Sequence, residues 1–228
     1  MTPSAVNPPP GARRRFWLTL LLFVVVPATV FAAVAVLVFV GGTPSWDISL
    51  LQLAARHQQT TARTLVTVYT TLGALWLVLV LLGCALALLL RARLYRQAAF
   101  VATATVLSMS TSGILKLVFA RPRPEVIPQP LGTYSFPSGH TMSATGLAVS
   151  LVVVLWPTRW RVPALVVGVV WAVGVGLSRV YLGYHFPSDV VAGWALSLAV
   201  VGATLLAFGG RVGLPPSRGA GVGPPPGD

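Results

Sequence analysis

Three short stretches carry most of the groups able to do chemistry in this chain: Lys116-Leu-Val-Phe-Ala-Arg-Pro-Arg123-Pro124, Pro137-Ser138-Gly139-His140 and Ser178-Arg179 through His185 to Asp189. They hold two of the three histidines and the only lysine. Lys116, Arg123 and Arg179 have little acid to neutralise them, because the whole chain has only Asp47, Glu125, Asp189 and Asp228. Such a set calls for an anion. Arginine forks match phosphate oxygens bidentately and lysine adds a mobile point charge, so a phosphoryl group is the natural guest. Pro137-Ser138-Gly139-His140 precedes an apolar run, where helix N–H groups and the positive helix end attract phosphate. Gly139 permits close backbone approach and Ser138 supplies a hydroxyl. Each fragment also has a plainer reading: Ser138 as a helix cap, Gly139 as a turn residue, the arginines as headgroup anchors.

His185 and Asp189 supply the reactive part. A carboxylate four positions after a histidine at a helix entrance can accept from its Nδ1–H, leaving Nε2 as a nucleophile. Asp189 is equally suited to the first turn of a helix opened by Pro187, and the two roles are compatible. His140, on another connection, is available as general acid toward a leaving oxygen; the alternative is an interfacial histidine with no catalytic role.

The elements that must position these groups are membrane helices. The composition is 55% hydrophobic and 9% charged, with a mean hydropathy of +0.81, which excludes an ordinary soluble core. Uninterrupted apolar runs of about 17 to 27 residues, long enough to span hydrocarbon, cover 16–40, 64–90, 97–115, 141–157, 162–178 and 190–210. None of them contains Asp, Glu, Lys, Arg or His, so every such side chain is expected in a tail or a connection. The expected fold is all-α: a six-helix transmembrane bundle over residues 16–210, with disordered tails at 1–15 and, rich in Gly and Pro, at 211–228. With the N-terminus inside, the cytoplasmic segments carry Arg13, Arg14, Arg15, Arg91, Arg93, Arg96, Arg159, Arg161, Arg211 and Arg218. The outer connections carry Arg56, Arg63, Lys116, Arg121, Arg123 and Arg179, three of them in the motifs. That asymmetry predicts both termini in the cytoplasm and brings all three motifs to the outer face. The Arg13-Arg14-Arg15 run is read as flanking a retained first helix rather than as an export signal, since the apolar run is too long for one. The segment from Trp46 to Thr61 reads either as an amphipathic helix in the headgroup layer or as a half-buried loop. His57 has no assigned role, and the lone Cys84, in mid-span, offers no disulfide framework.

Together, Lys-x6-Arg-Pro, Pro-Ser-Gly-His and Ser-Arg-x5-His-x3-Asp resemble the signature of the type 2 phosphatidic acid phosphatase superfamily. All three blocks match without a gap, and six-helix membrane members of that family would cover residues 16–210. The resemblance implies that His185 is the nucleophile forming a phosphohistidine, Asp189 its orienting partner and His140 the acid for the leaving group. It further implies that Lys116, Arg123, Ser138, Gly139 and Arg179 cradle the phosphoryl oxygens. Arg121 lies inside the six-residue spacer and receives no role.

No cofactor and no metal site are expected, because the chain lacks the clustered carboxylates and histidines of two-metal phosphatases. The expected partners are the bilayer and a lipid phosphate, with no nucleic acid; the oligomeric state is left open. Phosphatidate, phosphatidylglycerol phosphate and undecaprenyl diphosphate all fit, since the motif residues recognise phosphate and not the tail. Arginine-over-lysine usage points to a bacterial inner membrane, with the site on the extracytoplasmic side. Two other readings stand beside the hydrolase: a lipid phosphate transferase using the same intermediate, and a non-enzymatic or transport protein on the same scaffold. A haloperoxidase role fits less well, since the soluble vanadium-dependent relatives are not six-helix membrane chains.

Overall fold

The computed structural model describes residues 14, 17–56, 60–125, 134–210 and 212–213. Among these, every regular element is helical. A π-turn at Leu21–Val25 leads into α1 (Val26–Val40), and Trp17–Val40 together form one span. Then follow α2 (Ser45–Arg56), α3 (Thr60–Thr70), α4 (Leu75–Arg91), α5 (Tyr95–Phe119), α6 (Gly139–Leu155), α7 (Arg161–Tyr181) and α8 (Pro187–Ala207).

The pattern of burial is that of a molecule solvated by lipid. Leu117, Val118, Val167, Val170 and Trp76 are all more than half exposed, while polar side chains such as Thr105, Ser108, Ser150 and Ser197 are buried. In water this would be unfavourable; in a bilayer the apolar exterior costs nothing and polar groups turn inward to find partners. Ser197 accordingly bonds Ser108 and the Met142 carbonyl across helices. α6 is the central helix, with buried residues on every side. Its Gly146 lies where a Cβ would come within 2.7 Å of Ser108 Oγ, so glycine is what allows α5 and α6 to meet this closely.

Four of the expected spans are helices long and apolar enough to cross a membrane, among them α5, α7 and α8. The remaining two fall outside that set of four. The run at 64–90 is not one straight helix: α3 and α4 meet at 50° across a short 3₁₀ turn, Thr71–Gly73, followed by Ala74 in an extended conformation. The break has a packing cause, since Gly73 lies against His140 and Val175, and any side chain there would run into both. The run at 141–157 is α6, a shorter apolar helix of 17 residues.

A second correction concerns charge. Lys116, His140, Arg179 and Asp189 are not in connections; they lie within α5, α6, α7 and α8. The helices run several residues beyond the apolar windows because their inward stripes continue. On α5 the buried stripe Val101, Thr105, Ser108, Ser112 has helical spacing and is followed in phase by half-buried Lys116. On α7 the stripe Gly168, Ala172, Val175 ends on Arg179. A charge can occupy such a place when it faces the bundle interior and has partners there.

The expected tails lie outside the described residues except at Arg14, Val212 and Gly213. Val212 is buried in the main apolar cluster and the Gly213 carbonyl accepts from Gln97 Nε2, so packing extends into that segment. Of the segment 46–61, the described part is helical through Arg56 and again from Thr60, with Asp47 and Leu51 buried and Ile48, Leu50 and Leu53 exposed, so it is an amphipathic helix and not a loop. His57 lies outside the described residues.

Candidate active site

Each motif reaches the site through a local rule of chain geometry. α5 stops when Ala120 turns left-handed (φ 46°), its N–H closing on the Lys116 carbonyl. The chain leaves as Arg121-Pro122-Arg123-Pro124, where the prolines exclude helix. It returns at Tyr134, which accepts from Lys116 Nζ through its carbonyl, and at Ser135, whose N–H and Oγ both bond the Arg121 carbonyl. The Phe136–Pro137 peptide is cis, and Phe136 packs edge-on to Phe119 at 5.1 Å, with Phe31 and Phe39 of α1 completing the cluster. Ser138, in an extended conformation, opens α6. At the other end, α7 closes through Gly183 (φ 71°), and the Tyr184 and His185 N–H groups fold back on the Arg179 carbonyl. Pro187 then starts α8, and the Phe186 N–H donates to Asp189 Oδ2 at 2.9 Å.

His185 sits at the centre with only 1% of its surface exposed. Its Nδ1 faces Asp189 Oδ2 at 3.4 Å, and its Nε2 faces an Arg123 guanidinium nitrogen at 3.3 Å. Since arginine is donor only, Nε2 there is the lone-pair nitrogen and Nδ1 carries the proton. Burial, then the charges of Arg179, Lys116 and Arg123, push the imidazole well below its usual titration range. A buried, neutral histidine with its lone pair turned toward cations has the electronic form of a nucleophile.

Around it stand the cations. Arg123 also donates to the Tyr184 carbonyl at 2.7 Å, and burial draws its titration downward. Arg179 is 6% exposed, lies 4.2 Å over the Tyr184 ring and donates to Thr70 Oγ1 at 3.2 Å. Its buried Nε has no hydrogen-bond partner. Burying a charged donor without an acceptor is unfavourable, and a phosphate oxygen is the acceptor that would complete it. Gly139 lies close against α5: a Cβ would sit 3.3 Å from Ser112 Oγ and 3.7 Å from Lys116 Cε. His140 shares the field of Arg179, His185, Arg123 and Lys116, and its Cβ borders Gly73. Lys116, Arg123, Gly139, His140, Arg179, His185 and Asp189 are thereby brought to one end of the bundle.

Ser138 joins the same end of the bundle. Its N–H is committed to the Asp189 carbonyl at 3.1 Å, and its Oγ accepts from Thr141 at 2.9 Å, which ties the start of α6 to the start of α8. Its hydroxyl hydrogen remains available to a guest; its own backbone N–H does not.

Arg121, Asp47, Ser188 and Thr70 are further residues of the site. Arg121, 5% exposed, donates to Asp189 Oδ1 at 2.6 Å, to Ser188 Oγ at 2.8 Å and to Asp47 Oδ2 at 3.0 Å, and its guanidinium lies 4.1 Å over the Phe186 ring. Asp47, fully buried, also accepts from the Ser188 N–H at 2.8 Å and from the Ser188 hydroxyl. Thr70 bridges Ser178 and Arg179. The signal for Asp47 is scarcity: in a chain with four acids, the one carried by an amphipathic segment has a partner to find. Thr70 carries no signal beyond being polar. Lys116, Arg121, Arg123 and Arg179 against Asp47 and Asp189 leave an excess of two positive charges, which suits a phosphate dianion. Among the described residues no group of three or more His, Cys, Asp or Glu could hold a metal ion, and both site carboxylates are engaged by Arg121.

Residues 97–212 match the PAP2 superfamily. Phosphatidylglycerophosphatase B of Escherichia coli K12 is 47% identical over 68 residues, which is 30% of this chain and 26% of that protein. The chain thus matches only about a quarter of that relative's length. Decaprenylphosphoryl-5-phosphoribose phosphatase of Mycobacterium tuberculosis is 37% identical over 143 residues, 59% of this chain and 72% of that protein. The crystal structure of a transmembrane PAP2-type phosphatidylglycerolphosphate phosphatase from Bacillus subtilis superposes with a TM-score of 0.72 at 27% identity, covering 82% of this chain and 96% of that one.

Proposed function

This chain belongs to the PAP2 superfamily, and from that premise we propose that it is a multi-pass membrane lipid phosphatase that hydrolyses a phosphate monoester or diphosphate of a lipid through a phosphohistidine. The observation that carries the reading is His185, neutral and buried, with its Nε2 facing Arg123 beside the unpartnered Nε of Arg179. In the proposed reaction Nε2 attacks phosphorus as the bond from phosphorus to the lipid oxygen breaks, and His140 gives its proton to that oxygen. Asp189 holds the Nδ1–H while positive charge develops on the ring. A water, losing a proton to His140, then displaces Nε2 and releases phosphate. Lys116, Arg123, Arg179, the Ser138 hydroxyl and the chain at Gly139 stabilise the equatorial oxygens throughout.

The substrate class follows from the surroundings. An open apolar groove of about 580 Å³, lined by Leu65, Val66, Leu177 and Tyr181 among others, adjoins Ser178 and so lies beside the Arg179 end of the cradle. It suits an amphiphile whose tail stays in lipid while its phosphate reaches the cations. Phosphatidate, phosphatidylglycerol phosphate and undecaprenyl diphosphate are the proposed candidates. The proposed setting is a bacterial inner membrane, with six crossings, both termini cytoplasmic and the site on the extracytoplasmic face, as the arginine asymmetry favours.

The test is phosphate release by purified protein over these three lipids, with His185→Ala alongside. Release from at least one lipid, absent in the variant, supports the reading. Equal release by the variant, or none by the wild type on any of the three, refutes it.

A further inference from the structure

Two of the four acids in the chain converge on one arginine that the motif chemistry does not use. Asp47 comes from α2, 142 positions before Asp189 and outside the residues matched to the family, yet the two carboxylates share Arg121. The contacts divide the guanidinium: one terminal nitrogen serves Asp189 Oδ1 and Ser188 Oγ, the other serves Asp47 Oδ2. Ser188 closes the circuit by donating both its N–H and its hydroxyl to Asp47. Asp47, Arg121, Ser188 and Asp189 are all within 5% exposure, so little water screens these charges.

Resting on the phosphatase reading, we propose that Asp47 and Arg121 are positioning residues for the reaction, acting on His185 through Asp189. Arg121 takes Oδ1 of Asp189, which fixes the carboxylate so that Oδ2 faces His185 Nδ1. Asp47 takes the other half of the fork and offsets its charge. Without Asp47, the whole guanidinium charge would fall on Asp189 and compete with the imidazole for the same carboxylate just as positive charge develops on His185. The site would still bind phosphate, because Lys116, Arg123 and Arg179 keep contacts of their own, to the Tyr134 carbonyl, the Tyr184 carbonyl and Thr70 Oγ1. The cost falls on the chemical step, which is the mark of a group that acts in the transition state.

The experiment uses full-length protein in detergent and measures kcat and KM for phosphate release in wild type, Asp47→Asn, Ser188→Ala and Leu51→Ala. Leu51 is the other buried side chain of α2, and removing it loosens the helix without touching charge. Asp47→Asn is expected to lower kcat about tenfold or more, the size of one coupling within a shared network, with KM within twofold. Leu51→Ala is expected to lower the unfolding temperature while kcat stays within threefold of wild type. Ser188→Ala keeps the backbone bond to Asp47 and so preserves the seat of α2; it is expected to lower kcat at least threefold at constant KM. If Asp47→Asn does not fold, Ser188→Ala decides between the outcomes. The proposal is overturned if the folded Asp47→Asn or Ser188→Ala variant keeps kcat within twofold, if KM rises in place of the fall in kcat, or if Leu51→Ala costs as much kcat as Asp47→Asn. Absence of release by the wild type overturns the phosphatase reading instead, so the two failures are distinct.

Discussion

Replacing Arg179 by methionine should separate stability from activity. In the folded protein Arg179 holds a buried charge that donates to Thr70 Oγ1 at 3.2 Å, makes a ring contact with Tyr184 at 4.2 Å and leaves its Nε unpartnered. Methionine keeps much of the side-chain length and removes the charge. The loss is one hydrogen bond from a charged donor, about 1.5–3 kcal/mol, and a cation–π contact of about 0.5–2 kcal/mol. The gain is relief of one unsatisfied buried donor, about 1–3 kcal/mol and more for a charged group, together with the wider cost of holding a charge away from water. Thr70 stays satisfied, because its hydroxyl also hydrogen-bonds the Ser178 hydroxyl, 2.8 Å away. These terms nearly cancel, so stability should change by no more than about 1 kcal/mol, the scale of an ordinary substitution. Activity has no such compensation. In the proposed reaction the Nε and its charge act on the phosphoryl group as it passes from lipid to His185, and loss of one preorganised donor at developing charge costs about 100- to 1000-fold in rate. The assay pairs thermal unfolding in detergent with kcat/KM for phosphate release on the same preparations. Loss of the folded state, with activity falling only in proportion to the folded fraction, would mean that Arg179 is a structural pin and not part of the cradle. Unchanged kcat/KM would refute the cradle outright.

Lys116→Ala, which removes the Nζ bonded to the Tyr134 carbonyl, is expected to lower kcat/KM for phosphate release by about tenfold or more, one charge-assisted contact; unchanged release would show that the cradle is drawn wrongly. His185 is held neutral in the fold, whereas in the unfolded chain it titrates near its ordinary value of about 6.5. The unfolded state therefore takes up the proton first, and stability should fall as pH drops below about 6.5. Nitrogen-15 histidine spectra should show His185 still neutral at about pH 5.5, a full unit below its unperturbed value, with His185→Gln for assignment; an imidazolium appearing near the ordinary value would contradict the burial argument. Phosphate release should persist in excess EDTA, and complete loss restored by Mg²⁺ would overturn a metal-free mechanism.

The motif residues are legible in the sequence because lipid makes charge conspicuous: all eight expected positions, from Lys116 to Asp189, gather at one bundle end, where the Ser138 backbone donor is spent on the Asp189 carbonyl. Helix type is legible from the apolar runs, but helix ends are not. Counting apolar residues stops at Leu115 and Ser178, whereas the helices stop where a left-handed Ala120 and the Gly183 turn close them, beyond Lys116 and Arg179. The bend at Gly73 is hidden for a related reason, since composition does not register which neighbour occupies the place of a missing side chain. Arg121 escapes a reading by spacing, which gives the motif role to Arg123. Its partner is Asp47, and nothing local connects two residues so far apart in sequence.

The short central helix also bears on how the protein is made. α6 presents Thr141, Ser143, Thr145 and Ser150 within 17 residues and buries most of its surface against α5, α7 and α8. At about 1.5 Å per residue it is some 25 Å long, below the thickness of a typical hydrocarbon layer of about 30 Å. Such a segment has little reason to leave the insertion machinery for lipid by itself, since its hydroxyls and its length fit a protein surface better. Its settling in the membrane therefore depends on its neighbours, α5 already in place and α7 and α8 still to come. His140 is carried on that helix, and Arg179, His185 and Asp189 follow it in the chain, so an incompletely synthesised chain would hold Lys116 and Arg123 before the rest of the site was assembled.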